Sequence, residues 1–221
     1  MARGTSEGTD VDVQGGADRG AEQRAGYRRS AGSPRGEARR QDLLERVTDD
    51  LAVNGIVDFS LRRAAKAAGT THKVLLYYFD GPEELLAHAI PRLRERRTEK
   101  ALAAAAQGPD ARSLAARVRA MWPILVGEED RVLGQAIGLA MYDPDRYGAL
   151  GRDASKQYLP TLFAVCPEQW PDRRKLAVAH LILAVLRGFL MELRTSGEAD
   201  GVDAGFEALI RALEREEAAP A

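Results

Sequence analysis

The chain is predicted to be all-α: an N-terminal three-helix helix-turn-helix unit followed by a larger helical domain, about nine helices in total. Three observations lead there. Apolar residues recur at helical spacing, with no strand-like alternation and no internal repeat. Residues 60–79, SLRRAAKAAGTTHKVLLYYF, spell two short helices about a glycine turn. Proline, glycine and acidic helix-start signals then divide the rest at short intervals. A length of 221 residues leaves room for a small head and a second domain of ordinary size.

Residues 1–35 hold little apolar material and much Gly, Arg, Ser, Asp and Glu, so they are expected to be disordered. Between positions 24 and 40 lie six arginines, Arg24, Arg28, Arg29, Arg35, Arg39 and Arg40, against the single acid Glu37. The net charge of -1 hides this basic arm. Beside a helix-turn-helix, such an arm suits a phosphate backbone or a minor groove.

A first amphipathic helix is expected over residues 39–54, with Leu43, Leu44, Val47 and Leu51 on one stripe and Asn54-Gly55 as its stop. Ser60 is placed to cap a second helix over 61–68, whose alanines, Ala64, Ala65, Ala67 and Ala68, keep its surface low enough for another helix to cross closely. Gly69 ends it, and Thr70-Thr71 cap a third helix over 72–79. Leu75, Tyr78 and Phe79 fall on that helix's inward face; His72, Lys73, Leu76 and Tyr77 fall on the other. The outward set offers donors for phosphates and base edges, and an aliphatic group for a thymine methyl. Candidate DNA-contacting residues are therefore Arg35, Arg39, Ser60, Thr70, Thr71, His72, Lys73, Leu76, Tyr77 and Tyr78.

From residue 40 to residue 86, with Gly55 after the first helix, Ala64-Ala65-Lys66-Ala67-Ala68-Gly69 in the second, Leu75 and Tyr77-Tyr78-Phe79 in the third, and Glu83-Glu84-Leu85-Leu86 opening the fourth, the sequence resembles the N-terminal domain of the TetR family of bacterial transcriptional regulators. The resemblance covers about a quarter of the chain. It implies a homodimeric, all-helical repressor whose C-terminal domain binds a small effector and dimerises. Two positions depart from the family pattern. Leu76 stands where a tyrosine is usual, and Pro82 stands where a lysine commonly opens the fourth helix, so two DNA-backbone contacts are lost. Lys73, at a position that is often small, adds charge.

The remaining elements follow from punctuation. A long helix is expected over 82–107, and Asp110 is expected to cap the next, which runs to about residue 126 with a kink at Pro123. Residues 127–130 turn the chain; 131–142 form a helix that Asp143-Pro144 breaks. A single helix is expected over 145–165, bent at Gly148, Gly151 and Pro160, then one over 171–195 and a last one over 203–217 with Phe206, Leu209, Ile210 and Leu213 on one stripe. The domain division is residues 1–35 as arm, 36–81 as head, 82–217 as effector-binding and dimerisation domain, and 218–221 as tail.

The helix over 171–195 is apolar nearly all round, so it requires cover on more than one side. With the last helix it would form a four-helix interface between two copies, and Gly188 allows close approach. Candidate ligand-binding residues on the helices around a central cavity are Met121, Trp122, Leu125, Met141, Tyr142, Tyr158, Phe163, His180 and Arg187. Arg187 needs either a protein carboxylate or an acidic ligand.

Other functions find little footing. His72, His88 and His180 have no metal-ligand spacing, and there is no Gly-rich phosphate loop, so neither an enzyme nor a cofactor is expected. The lone Cys166 suits a reducing cytoplasm, and no secretory h-region follows Met1. His180, Arg187 and Glu192 argue against a membrane span at 176–193. The alternatives left open are a dimeric sensor that acts through protein contacts and, after it, a helical enzyme with a dispersed site.

Overall fold

The computed structural model describes residues 33–107 and 113–220, and among them every regular element is a helix. Ten are present: α1 (Pro34–Asn54), α2 (Leu61–Ala67), α3 (His72–Tyr78), α4 (Pro82–Gln107), α5 (Leu114–Leu125), α6 (Glu129–Tyr142), α7 (Pro144–Arg152), α8 (Ala154–Val165), α9 (Asp172–Thr195) and α10 (Ala199–Ala218).

Local chemistry sets these boundaries. Ser33 accepts from the Gly36 N–H at 3.1 Å with Pro34 in the first turn, so α1 begins earlier than the expected residue 39. Arg35 therefore belongs to the helix and not to a loose arm, together with Arg39 and Arg40, which were expected there; Arg24, Arg28 and Arg29 lie outside the described residues. Gly55 closes α1 at φ 71°, and its N–H donates to the Leu51 carbonyl at 2.8 Å. Ser60 and Thr71 cap α2 and α3 as expected, each accepting at 3.3 Å from the backbone N–H three residues on, and Gly69 adopts φ 62° between them.

Downstream, three expectations are corrected. The cap of α5 is Ser113, which accepts from Ala116 N–H at 3.2 Å; Asp110 lies outside the described residues. The expected helix over 145–165 is two, parted at Asp153. Asp143 caps the first through Arg146 N–H at 3.1 Å, and that helix lies so close to α6 that a Cβ on Gly151 would sit 3.0 Å from the Ala140 Cβ. The chain must turn there to leave α6. The last helix starts at Ala199, earlier than residue 203, directly after Gly197 at φ 75°.

Two apolar cores result, and α4 belongs to both. Leu85, Leu86, Ala89, Ile90 and Leu93 pack with α1, α2, α3, α6 and α7, while Ala101 and Ala105 pack with α5, α8, α9 and α10. At 1.5 Å per residue, 26 residues make a strut about 39 Å long. The head is thus no isolated unit: Val132, Leu133 and Ala136 of α6 and Leu150 of α7 complete its core. Ion pairs fasten the same seam, Glu45 to Arg92 at 2.8 Å and to Arg96, and Asp49 to Arg96 at 2.7 Å.

Helix α9 is long and apolar enough by length and composition to cross a membrane, yet it buries Val178, Ala179, Ile182, Leu183 and Leu186 inside this protein. Its opposite face remains uncovered. Leu176, Leu181 and Met191 are about half exposed there, and nothing lies within 4 Å of where a Gly188 Cβ would be.

Candidate functional site

Two features stand out: the outward face of α3 and a large cavity in the second domain. On α3, Leu75 is fully buried and Phe79 nearly so, which fixes the helix's rotation. His72, Lys73, Val74 and Leu76 then face out, with Leu76 47% exposed. Tyr77 and Tyr78 are half-buried and meet edge to face with ring centroids 4.7 Å apart; Tyr78 also packs on the head core. Val74 was missed in the sequence reading, because a valine between inward and outward stripes gives no periodic signal. Arg35 and Ser60 are exposed and Thr70 is half-buried; Ser60 and Thr71 have their hydroxyls committed to the caps. Arg39 is exposed but paired with Asp42 at 2.5 Å. On α2, Arg62 and Lys66 add exposed cations to the same unit.

Two arginines brace this surface from behind. Arg63 donates to Asp50 at 2.8 Å and to the carbonyls of Val57 and Gly55 at 2.9 and 2.7 Å, which closes the corner after α1. Arg40 lies over the Phe79 ring at 4.6 Å and donates to the Tyr78 carbonyl at 3.4 Å, which ties the end of α3 to α1. Neither is available to a polyanion outside.

The cavity measures about 860 Å³ and lies among α4, α5, α6, α8 and α9. Met121, Leu125, Tyr158 and Arg187 line it, with the largely exposed Met141 and Tyr142 at its open edge. Trp122, Phe163 and His180 do not. Trp122 stacks on Phe206 at 4.9 Å inside the core, Phe163 lies under the Lys175 ammonium at 5.3 Å, and His180 is on the exposed face of α9. His180 is therefore neither a buried histidine nor a wall of the cavity.

The charged part of the wall is mostly arginine. Arg94 and Arg97 interrupt the buried stripe of α4 and are themselves almost wholly buried. Sequence reading passed them over, although positions 90, 94, 97 and 101 share one helical face. Arg97 lies 3.6 Å from Asp130, which also accepts from Arg194 at 2.7 Å, so this end of the cavity has an acid at its centre. Arg94 donates to Gln157 at 3.3 Å and to the Leu150 carbonyl. Burial, with the neighbouring Arg187 charge adding to it, holds the Arg94 pKa below the usual guanidinium range even though Tyr158 favours the cation. Arg187 donates to Ser155 Oγ at 3.1 Å and lies 5.5 Å from the Tyr158 ring centre; burial lowers its pKa as well. No group of three or more His, Cys, Asp or Glu among the described residues is placed to hold a metal.

Solved structures share this fold. A Rhodococcus protein classed as a TetR-family transcriptional regulator aligns at TM-score 0.59 and 17% identity, over 81% of this chain and 98% of its own. The multidrug-binding protein EbrR, solved with proflavin, aligns at TM-score 0.59 and 20% identity over 78% of this chain and 98% of its own. GusR of Salmonella enterica aligns at TM-score 0.56 and 16% identity, over 86% of this chain and all of its own. No protein-family model and no curated protein sequence matches. The chain thus has the fold of the TetR-type regulators, and the resemblance first seen in residues 40–86 extends through most of its length.

Proposed function

We propose that this protein is a cytoplasmic, homodimeric, DNA-binding transcriptional regulator, acting as a repressor that a small-molecule effector releases from its operator. The observation that supports it best is the pairing of the outward α3 face with the cavity through one continuous helix. Helix α4 starts against the head, carries Arg94 and Arg97 into the cavity wall and ends in the second core. A ligand that favours one setting of α4 would shift the head with it.

Recognition is assigned to α3, with His72, Lys73, Val74, Leu76 and Tyr77 toward the major groove and Arg35, Arg39, Arg62 and Lys66 toward phosphates. Dimerisation is assigned to the uncovered face of α9 together with α10, in line with the two-headed geometry that such helices need to read two half-sites. Gel shift with the DNA flanking the protein's own gene tests the reading. Dimer-dependent preference over random duplex is expected; equal binding to both, or to neither, would remove the regulator and leave a sensor acting through protein contacts.

A further inference from the structure

The cavity's charge is uneven. Its wall holds five arginines, at positions 94, 97, 131, 187 and 194, and one acid, Asp130. Asp130 serves Arg97 and Arg194, and Arg131 donates to the Val53 carbonyl. That leaves Arg94 and Arg187. Both reach Tyr158, and their described partners are all neutral: Gln157, Ser155, a carbonyl oxygen and a phenol. Asp153, whose field reaches Arg94, is exposed and paired with Lys156 at 2.8 Å. One guanidinium nitrogen of Arg187, Nη2, is buried with no acceptor.

A buried guanidinium stays charged, and leaving one unmatched is costly. Neutral acceptors satisfy some of its donors but do not cancel its field. Most of the remaining wall surface is apolar, including Leu125, Leu183, Leu186 and Leu190. We propose that the effector is an amphiphilic organic anion, with its carboxylate or similar oxyanion held between Arg187 and Arg94 beside Tyr158 and its apolar body along α9. This deepens the regulator reading and rests on it for the word effector, while the anion site itself stands on the cavity alone. The same wall disfavours organic cations, whose charge would face five guanidiniums against one acid that Arg97 and Arg194 already engage.

Calorimetric titration of the full chain, without DNA, with octanoate, 1-octanol and octyltrimethylammonium tests it, since the three differ in charge and share the tail. Octanoate is expected to bind at least about tenfold more tightly than octanol, a step of one decade in Kd, and the cation most weakly. Arg187→Gln should bring octanoate down to about the level of octanol, with a much smaller change for octanol itself, and Arg187→Lys should restore part of the difference. Octanoate no tighter than octanol, including failure of both to bind, overturns the proposal, as does an undiminished preference in Arg187→Gln. Should that variant fail to fold, the wild-type ranking still decides. DNA release is read separately by gel shift. Octanoate preference in a protein that binds no operator keeps the anion site and removes the regulator, and operator binding without octanoate preference does the reverse.

Discussion

Gln135 Oε1 accepts a hydrogen bond from the Ile56 backbone N–H at 2.7 Å, and Gln135 is itself part of the cavity wall. The contact is tight. A Cβ on the preceding Gly55 would come within 2.6 Å of the same oxygen, and one turn back on α6 Arg131 donates to the Val53 carbonyl. Helix α6 therefore holds the corner between α1 and α2 directly from the cavity, a second link beside the α4 strut.

Gln135→Ala should leave the Ile56 N–H without its acceptor, at about 1 kcal/mol in stability. Its larger effect should be on communication. If α6 carries part of the coupling, ordinarily about 1 to 3 kcal/mol in all, the ratio of DNA affinities with and without ligand should shrink while ligand affinity changes little. An unchanged ratio in paired fluorescence-anisotropy titrations would assign the coupling to α4 alone. Gly55→Ala is harsher, because a side chain at φ 71°, ψ -171° costs roughly 1 to 3 kcal/mol before the clash with Gln135 is counted. Thermal melting should show that loss.

Lys73→Ala and Tyr77→Ala should weaken DNA binding. Lys73→Ala in particular should reduce the slope of log K against log salt by about 0.9, the value of one phosphate contact. Leu76→Ala should relax preference at one base step, since an aliphatic contact to thymine carries sequence information. A uniform loss across all sequences for Leu76→Ala would take that residue out of the groove.

The start of α1 at Pro34 sets where the arm can be cut. Removal of residues 1–32 should keep the Ser33 cap and the melting temperature, yet weaken DNA binding and flatten its salt dependence through loss of Arg24, Arg28 and Arg29. Removal of 1–23 should be silent. Equal affinities for the two truncations would assign those arginines to solvent.

The head was legible because its signals are local. Ser60, Gly69 and Thr71 act within a few residues of themselves, and each occupies the expected place. The cavity was legible only in part. Met121, Leu125 and Tyr158 line it, but Trp122 lies one residue from Met121 and turns into the core against Phe206, a difference set by how α5 rotates against α10. Composition says nothing of such rotations. Arg94 and Arg97 did carry a signal, a charge in core register, which goes unnoticed when charged positions are assumed to face water. The split at Asp153 depends on α7 packing against α6, and the extended α1 on the Ser33-Pro34 start, which lies inside the stretch expected to be disordered.

Acid should loosen the head from α4. Burial works against the Glu45 carboxylate, but bonds from Arg92 and Arg96 outweigh it and hold its pKa below the usual range. A depressed carboxylate contributes stability that is present above its unfolded pKa, about 4.3, and is lost as pH falls through the folded value. Glu45→Gln should therefore lower the melting temperature at neutral pH and flatten its decline below about pH 4.3. Parallel melting curves for the two proteins across that range would show that Glu45 contributes nothing to the seam.

The uncovered side of α9 presents Ala177, Leu181, Ala184, Gly188 and Met191 at alternating spacings of four and three, the period at which two helices stay in contact along their length. All five are exposed within one chain, and three are too small to hold helices apart. Across a two-fold axis each position would meet its own copy or a neighbour, so one substitution acts twice. Leu181→Glu should place two carboxylates at that seam and separate the copies, with little change in the fold, because Leu181 is half exposed in the single chain. Gly188→Leu should do the same by bulk, given that nothing within the chain occupies that space. Sedimentation equilibrium is expected to give the wild type twice the chain mass of 24.1 kDa and each variant that mass once. Variants that remain dimeric would move the interface elsewhere, and a monomeric wild type would leave the exposed leucines of α9 to another partner.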